Sequence, residues 1–306
     1  MNTYTPSRYD ERVLHLAVGI EPRDATSGRR LDGPVDVRFE HHPSPLHRWR
    51  NWRPGETLTA VLPPMRRHRS GRFARTYDRD IPTTIDLRVV DGGRVGSTPI
   101  PGHGRRVVPR RLRLTIADEG AVLAAEADAT SPPLARWRRV FPIVMFPGAA
   151  APLTARSTVL RGRILRRPDP ARPETVPVPW CRVRATNADG DEVGWAHGDD
   201  RGEFVLVVGQ TANDIVVPND PLSVTLTIGA VIPPMAPDPA DPLRPDVDPL
   251  WDLPVETVVA SAIPDIEPTI SGRSFLQGQV QLSPLFPAQP IDLPLGRESS
   301  EQITIA

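Results

Sequence analysis

Prolines at 38 of 306 positions leave this chain few places for a long helix. Proline lacks a backbone donor and its ring clashes with the preceding helical turn. In a sheet it is confined to edges, strand ends and bulges. A chain so punctuated folds through short strands, edge strands and extended loops. Between the prolines stand runs of alternating polarity, the period of a half-buried strand. PVDVRFE over 34–40 puts Val35, Val37 and Phe39 on one face. Residues 13–20, 83–91, 106–116, 139–147, 157–165, 181–186, 203–208 and 220–228 read as further strands. NADGDE over 187–192 is a turn signal, because Gly190 can take a positive φ and the Asx side chains cap locally.

The length suffices for two domains with a core each. The pattern predicts an all-β chain of two tandem antiparallel β-sandwich domains. The expected boundaries are 1–117 for the first sandwich, 118–156 for a connector and 157–232 for the second sandwich. A proline-rich linker and strand follow over 233–262, then an extended C-terminal tail over 263–306. Residues 118–133 are rich in Ala, Glu and Asp and read as connector with at most a helical turn. The run 233–249 forms neither helix nor ladder and reads as a polyproline-like spacer. The tail is too short and too proline-rich for a core of its own, so it docks either on the preceding domains or on a partner.

Composition narrows the chemistry. The 37 basic residues are all arginine and are matched by 37 acids, for a net charge of zero. That balance argues against bulk nucleic-acid binding. Without lysine there is no Schiff-base nucleophile and no Walker lysine. Neither a Gly-Xaa-Ser-Xaa-Gly elbow nor a His-Glu-Xaa-Xaa-His run occurs. The lone Cys181 excludes an internal disulfide and shares a strand face with Val183 and Ala185, so it reads as a small core residue. His41, His42 and His47 fall in one loop and read as solvated. Asp189, Asp191, Glu192, Asp199 and Asp200 cluster around two turns, but the spacing lacks the flanking ligands of a calcium loop. No metal or cofactor is expected. No apolar run approaches the ~20 residues of a membrane span. The N-terminus lacks a secretory pattern, so a cytoplasmic location and no membrane partner are expected.

Three stretches are candidates for partner contact. HRWRNWR over 47–53 sets Arg48 and Arg50 beside Trp49 and Trp52, a combination that makes cation–π pairs and interface hot spots. The same residues could instead cover a sandwich end or, with Trp195, stack on a sugar. RWRR over 136–139 carries the same ambiguity. In the tail, Phe275, Leu276, Ile291 and Leu293 are the apolar anchors of an arm that could add a strand to a neighbouring subunit's sheet.

RGRI over 161–164, PVPWCRVRA over 177–185 and DDRGEFVL over 199–206 resemble the carboxypeptidase regulatory-like domain, a transthyretin-like sandwich. The resemblance spans about 157–229, with His197-Gly198-Asp199 where that family more often has Thr-Asp. It implies a non-catalytic sandwich module and speaks to fold more than to function. A looser resemblance, through FPGAAAPLTARSTVLRG over 146–162, is to accessory proteins of phage-tail-like contractile injection systems. It implies a structural component whose partners are other protein subunits, with self-association a further option, in a particle that leaves the cell without a signal peptide. The alternatives are a glycan or cell-surface binding module and, third, a carboxylate-dependent hydrolase.

Overall fold

The computed structural model describes residues 15–31, 33, 35–40, 64–77, 81–92, 94–95, 98–99, 105–127, 139–153, 157–209, 221–230, 250–258, 266–270, 273–276, 283–284 and 289–305. In chain order the first strands are β1 (Leu16–Asp24), β2 (Val35–Phe39), β3 (Arg66–Arg67), β4 (Phe73–Thr76) and β5 (Thr84–Asp91). A short pair, β6 (Arg94–Val95) and β7 (Thr98–Pro99), precedes β8 (Arg110–Thr115), helix α1 (Glu119–Ala127) and β9 (Val140–Met145). Then come β10 (Thr158–Arg166), β11 (Val176–Pro177), β12 (Arg182–Thr186), β13 (Glu192–His197), β14 (Glu203–Val208) and β15 (Leu222–Ala230). The last are β16 (Val255–Val258), β17 (Ile266–Ile270), β18 (Arg273–Leu276), β19 (Ser283–Pro284), β20 (Gln289–Leu293) and β21 (Glu298–Ile305). The chain is all-β in architecture, as its proline spacing and alternation require.

The first core lies between the sheets β3-β4-β1-β9 and β16-β8-β5-β2. The alternation read from the sequence faces inward as expected. Val35, Val37 and Phe39 of β2 meet Ile85, Leu87 and Val89 of β5 and Leu112 and Leu114 of β8. Residues 119–127 form a nine-residue helix where a connector was expected. Asp118 starts it, its Oδ1 accepting from Ala121 N at 3.1 Å, and Val122 drops fully into the core. Arg139 ties the helix down, donating to Leu16 O at 2.7 Å and to Glu126 at 3.2 Å.

The second core lies between a sheet built on β10, β11, β14 and β21 and another built on β13, β12, β15, β19 and β20. Gly162 is required here. Its cross-strand partner is Phe204, and a Cβ at 162 would stand 2.2 Å from the Phe204 ring.

Both cores depart from the tandem plan in one respect. Each takes a strand from far along the chain, in parallel pairing. β16 runs parallel to β8, so the first sandwich is completed from beyond the second. β21 runs parallel to β10, from Val159↔Glu298 to Arg166↔Ile305, and β20 lies antiparallel to β15. β1 and β9 are a third parallel pair. Parallel pairing needs a long return and leaves no turn signature in the sequence.

Candidate functional site

The alternation of β8 puts Arg110 on the same face as Leu112 and Leu114. A guanidinium buried there requires a carboxylate, and β16 brings one. Glu256 Oε1 accepts from Arg110 Nε at 3.2 Å and from Arg182 Nη2 at 3.0 Å, and its Oε2 accepts from Arg110 Nη2. One further nitrogen of each arginine is bonded as well. Arg110 Nη1 reaches Val144 O at 2.7 Å and Arg182 Nη1 reaches Trp180 O at 3.0 Å. None of the three side chains is more than 5% exposed. Arg110 belongs to the first sandwich and Arg182 to the second, so Glu256 is the shared counterion of a joint. Around it, Trp180 packs on Val90, Leu250 and Leu253, and its Nε1 donates to Asp252 Oδ1 at 2.8 Å. At the rim Arg105 pairs with Asp199 and, at 2.7 Å, with Glu203.

His197 completes the joint from β13. Its ring stacks on Phe146 with centroids 3.9 Å apart at 24°. It is fully buried, and neither ring nitrogen has a hydrogen-bond partner among the described residues. Burial, followed by the fields of Arg182 and Arg110, holds its pKa well below the ordinary imidazole value. The ring is neutral at physiological pH. Cys181 lies against Gly198, where a Cβ would come within 2.3 Å of its sulfur. Burial pushes this thiol up to about 12, so the sulfur packs as a small apolar group rather than as a thiolate. Of the acidic cluster, Asp199 serves its turn and Glu192 pairs with Arg184. Asp199 Oδ1 accepts from Arg201 N at 2.9 Å and Glu203 N at 3.0 Å, while Asn187 Oδ1 caps Asp189 and Asp191. Among the described residues no three His, Cys, Asp or Glu side chains converge as metal ligands. Among them, too, no helix is long and apolar enough to cross a membrane.

Arginine also builds the hairpin of β3 and β4. RRHRSGR over 66–72 turns through Gly71 at φ +78°, closed by His68 N to Arg72 O at 2.7 Å and Gly71 N to His68 O at 2.9 Å. Glu21 on β1 anchors it, accepting from Arg72 and from Arg23 at 2.8 Å, with Arg30 at 3.3 Å. Burial alone would raise the Glu21 pKa, but the hydrogen bonds from Arg72 and Arg23 outweigh it and hold the carboxyl below its usual range. Arg30 reaches over to Ser70 O. Together with Arg67, His68, Arg69, Ser70 and Gly71 it lines an open cleft of about 540 Å³.

The sequence-predicted contact residues divide. Arg48, Trp49, Arg50 and Trp52 lie outside the described residues, as does Trp137. Phe275 and Leu276 fall on β18, which pairs with β17. Ile291 and Leu293 are corrected. Both sit on β20, where Leu293 is 1% exposed in the second core and Ile291 packs against the same core. Fully burying a side chain such as Leu293 contributes about 1.5–3 kcal/mol, and the chain's own sheet supplies that surface. Trp195 is half-buried beside Ala25, Val144 and Phe146 rather than presented as a sugar platform. The triad Arg110–Glu256–Arg182 was not singled out from sequence. The one available signal was that Arg110 keeps step with Leu112 and Leu114.

No family model matches the chain, and comparison with curated proteins gives no match. Among solved structures the chain is similar to one described as the Bacillus anthracis TIE protein, at 9% identity and a TM-score of 0.20. The match covers 95% of this chain and 50% of that one, so the chain spans about half its length. At that score the likeness carries no argument.

Proposed function

We propose that this protein is a non-enzymatic structural component of a protein assembly, and that its particle is of the phage-tail-like contractile type to which residues 146–162 point. The observation that carries the reading is the joint. A buried carboxylate shared by arginines from both sandwiches, flanked by Trp180 and the His197–Phe146 stack, couples two cores that a flexible tether would leave independent. The 146–162 segment takes part. Gly148 N and Ala150 N bond to Arg106 O and Arg105 O, and Arg161 Nη1 donates to Ala149 O at 2.7 Å. Rigid coupling suits a part whose task is to hold other subunits at a fixed spacing. The strands of 289–305 are engaged in the protein's own sheets, so docking through them is not part of this reading. Contact falls instead to exposed loops and to the Arg/Trp stretch over 47–53.

The test is rate-zonal sedimentation of the tagged protein from its native host at native expression. The reading requires comigration with a high-mass particle at fixed stoichiometry. A protein that sediments as a free monomer in every growth condition overturns it.

A further inference from the structure

The hairpin arginines differ from most other described arginines in what they face. Many other guanidiniums meet carboxylates: Arg88 and Arg111 on Glu40, Arg113 on Asp86 through two bonds of 2.8 Å, and Arg184 on Glu192 at 2.8 Å. On the hairpin, Glu21 already serves Arg23, Arg30 and Arg72. Arg66, Arg67 and Arg69 are exposed and pair with no carboxylate among the described residues. In a chain of zero net charge this is, among the described residues, a local cationic excess. It is also a shaped one. Gly71 lets Arg30 lie across the turn, since a Cβ there would come to 3.1 Å from Arg30 Cδ. One wall of the cleft is therefore Arg30 and the other is the turn itself.

The geometry discriminates among anions. A compact phosphate is gripped by converging backbone N–H groups. Here the N–H groups of His68 and Gly71 are closed within the turn, and that of Ser70 goes to His68 Nδ1 at 3.2 Å. What remains are guanidinium forks at separate points of an open cleft. Such forks match carboxylates strung along an extended chain, each taken by its own arginine. Phe73 is buried beneath Arg67, whose Cζ stands 5.8 Å from the ring centroid, so that ring is not offered for stacking a base.

We infer that this cleft binds an extended acidic segment of a partner protein, with Arg67 and Arg69 taking its carboxylates and Arg30, held by Glu21 and Ser70 O, forming the wall beside them. The inference goes beyond the assembly reading and is measured without it, on the isolated protein, so either can fail alone. The experiment is fluorescence anisotropy of full-length protein with labelled decaglutamate, against decaglutamine, inorganic phosphate and an oligothymidylate of equal charge. Decaglutamate is expected to bind in preference to all three and to weaken with added salt. Arg67→Ser/Arg69→Ser is expected to weaken it roughly tenfold, and Arg69→Glu alone to weaken it as well. Arg172→Ser, a change at an exposed arginine of the second sandwich, leaves it intact. All variants keep the parent unfolding transition. Unchanged affinity in Arg67→Ser/Arg69→Ser, or tighter binding of phosphate or oligothymidylate than of decaglutamate, overturns the inference.

Discussion

The joint and the hairpin are both made of arginine, and solvent makes them opposites. At the joint, Arg110 and Arg182 are dry and paired: donors go to Glu256, Val144 O and Trp180 O. In the low dielectric of that site, losing the shared anion takes a carboxylate from two buried cations. On the hairpin, Arg66 and Arg69 are wet, and water solvates whatever the protein does not. The same side chain therefore determines how the cores are coupled in one place and leaves stability almost untouched in the other, where it is free to bind.

The largest test of this contrast is Glu256→Gln, which keeps the volume and removes the charge. A loss of about 3–5 kcal/mol is expected in urea unfolding, the cost typical of an unpaired buried charge. Replacing the whole set, as Arg110→Met/Glu256→Leu/Arg182→Met, is expected to restore stability to near the parent, because no unpaired charge remains. If Glu256→Gln were as stable as the parent, the joint would not be dry.

His197 gives the next effect through pH. The folded protein holds the ring neutral, so below about 6.5 the unfolded chain takes up a proton that the folded chain refuses. Stability is full above that pH. It falls by about 1.4 kcal/mol per pH unit below it, until the folded-state value is reached. His197→Gln is expected to flatten this slope between about pH 6.5 and 5. Glu21, held below its usual 4.5, loses its contribution only at more acid pH, so the two windows separate. A slope that persists in His197→Gln would assign it elsewhere.

The smallest effect belongs to the hairpin. Arg66→Ser and Arg69→Ser, at exposed positions without a carboxylate partner among the described residues, are expected to shift stability by less than about 0.5 kcal/mol. A larger loss on chemical denaturation would mean that these side chains hold structure rather than await a ligand.

Much of this was legible in the chain. Alternation names the inward faces of β2 and β12 and marks β5, β8 and β15 as strands, because a strand's period is a local property. The turns at 187–192 and 199–202 follow from Asx and glycine chemistry, the first capped by the Asn187 carboxamide and the second by the Asp199 carboxylate. Helix α1 was missed because its pattern is weak and only Val122 turns inward; tertiary contact with the first core selects it. The sequence leaves the tail two fates, its own sheets or a partner's. Its residues show enough β-propensity to pair, but nothing local says with which edge.

The sequence by itself determined the strand class, the inward faces, the turn chemistry and the concentration of arginine at 66–75. All of these depend on neighbours a few residues apart. Only the tertiary structure decided that β16, β20 and β21 return to complete sheets begun far upstream, in two cases by parallel pairing. It alone placed Glu256 between Arg110 and Arg182, 146 and 74 residues away. Burial is a property of the packed chain. A lone Glu in VETV carries no mark of the two cations it will neutralise, and an arginine in a basic turn carries no mark that it will stay in water.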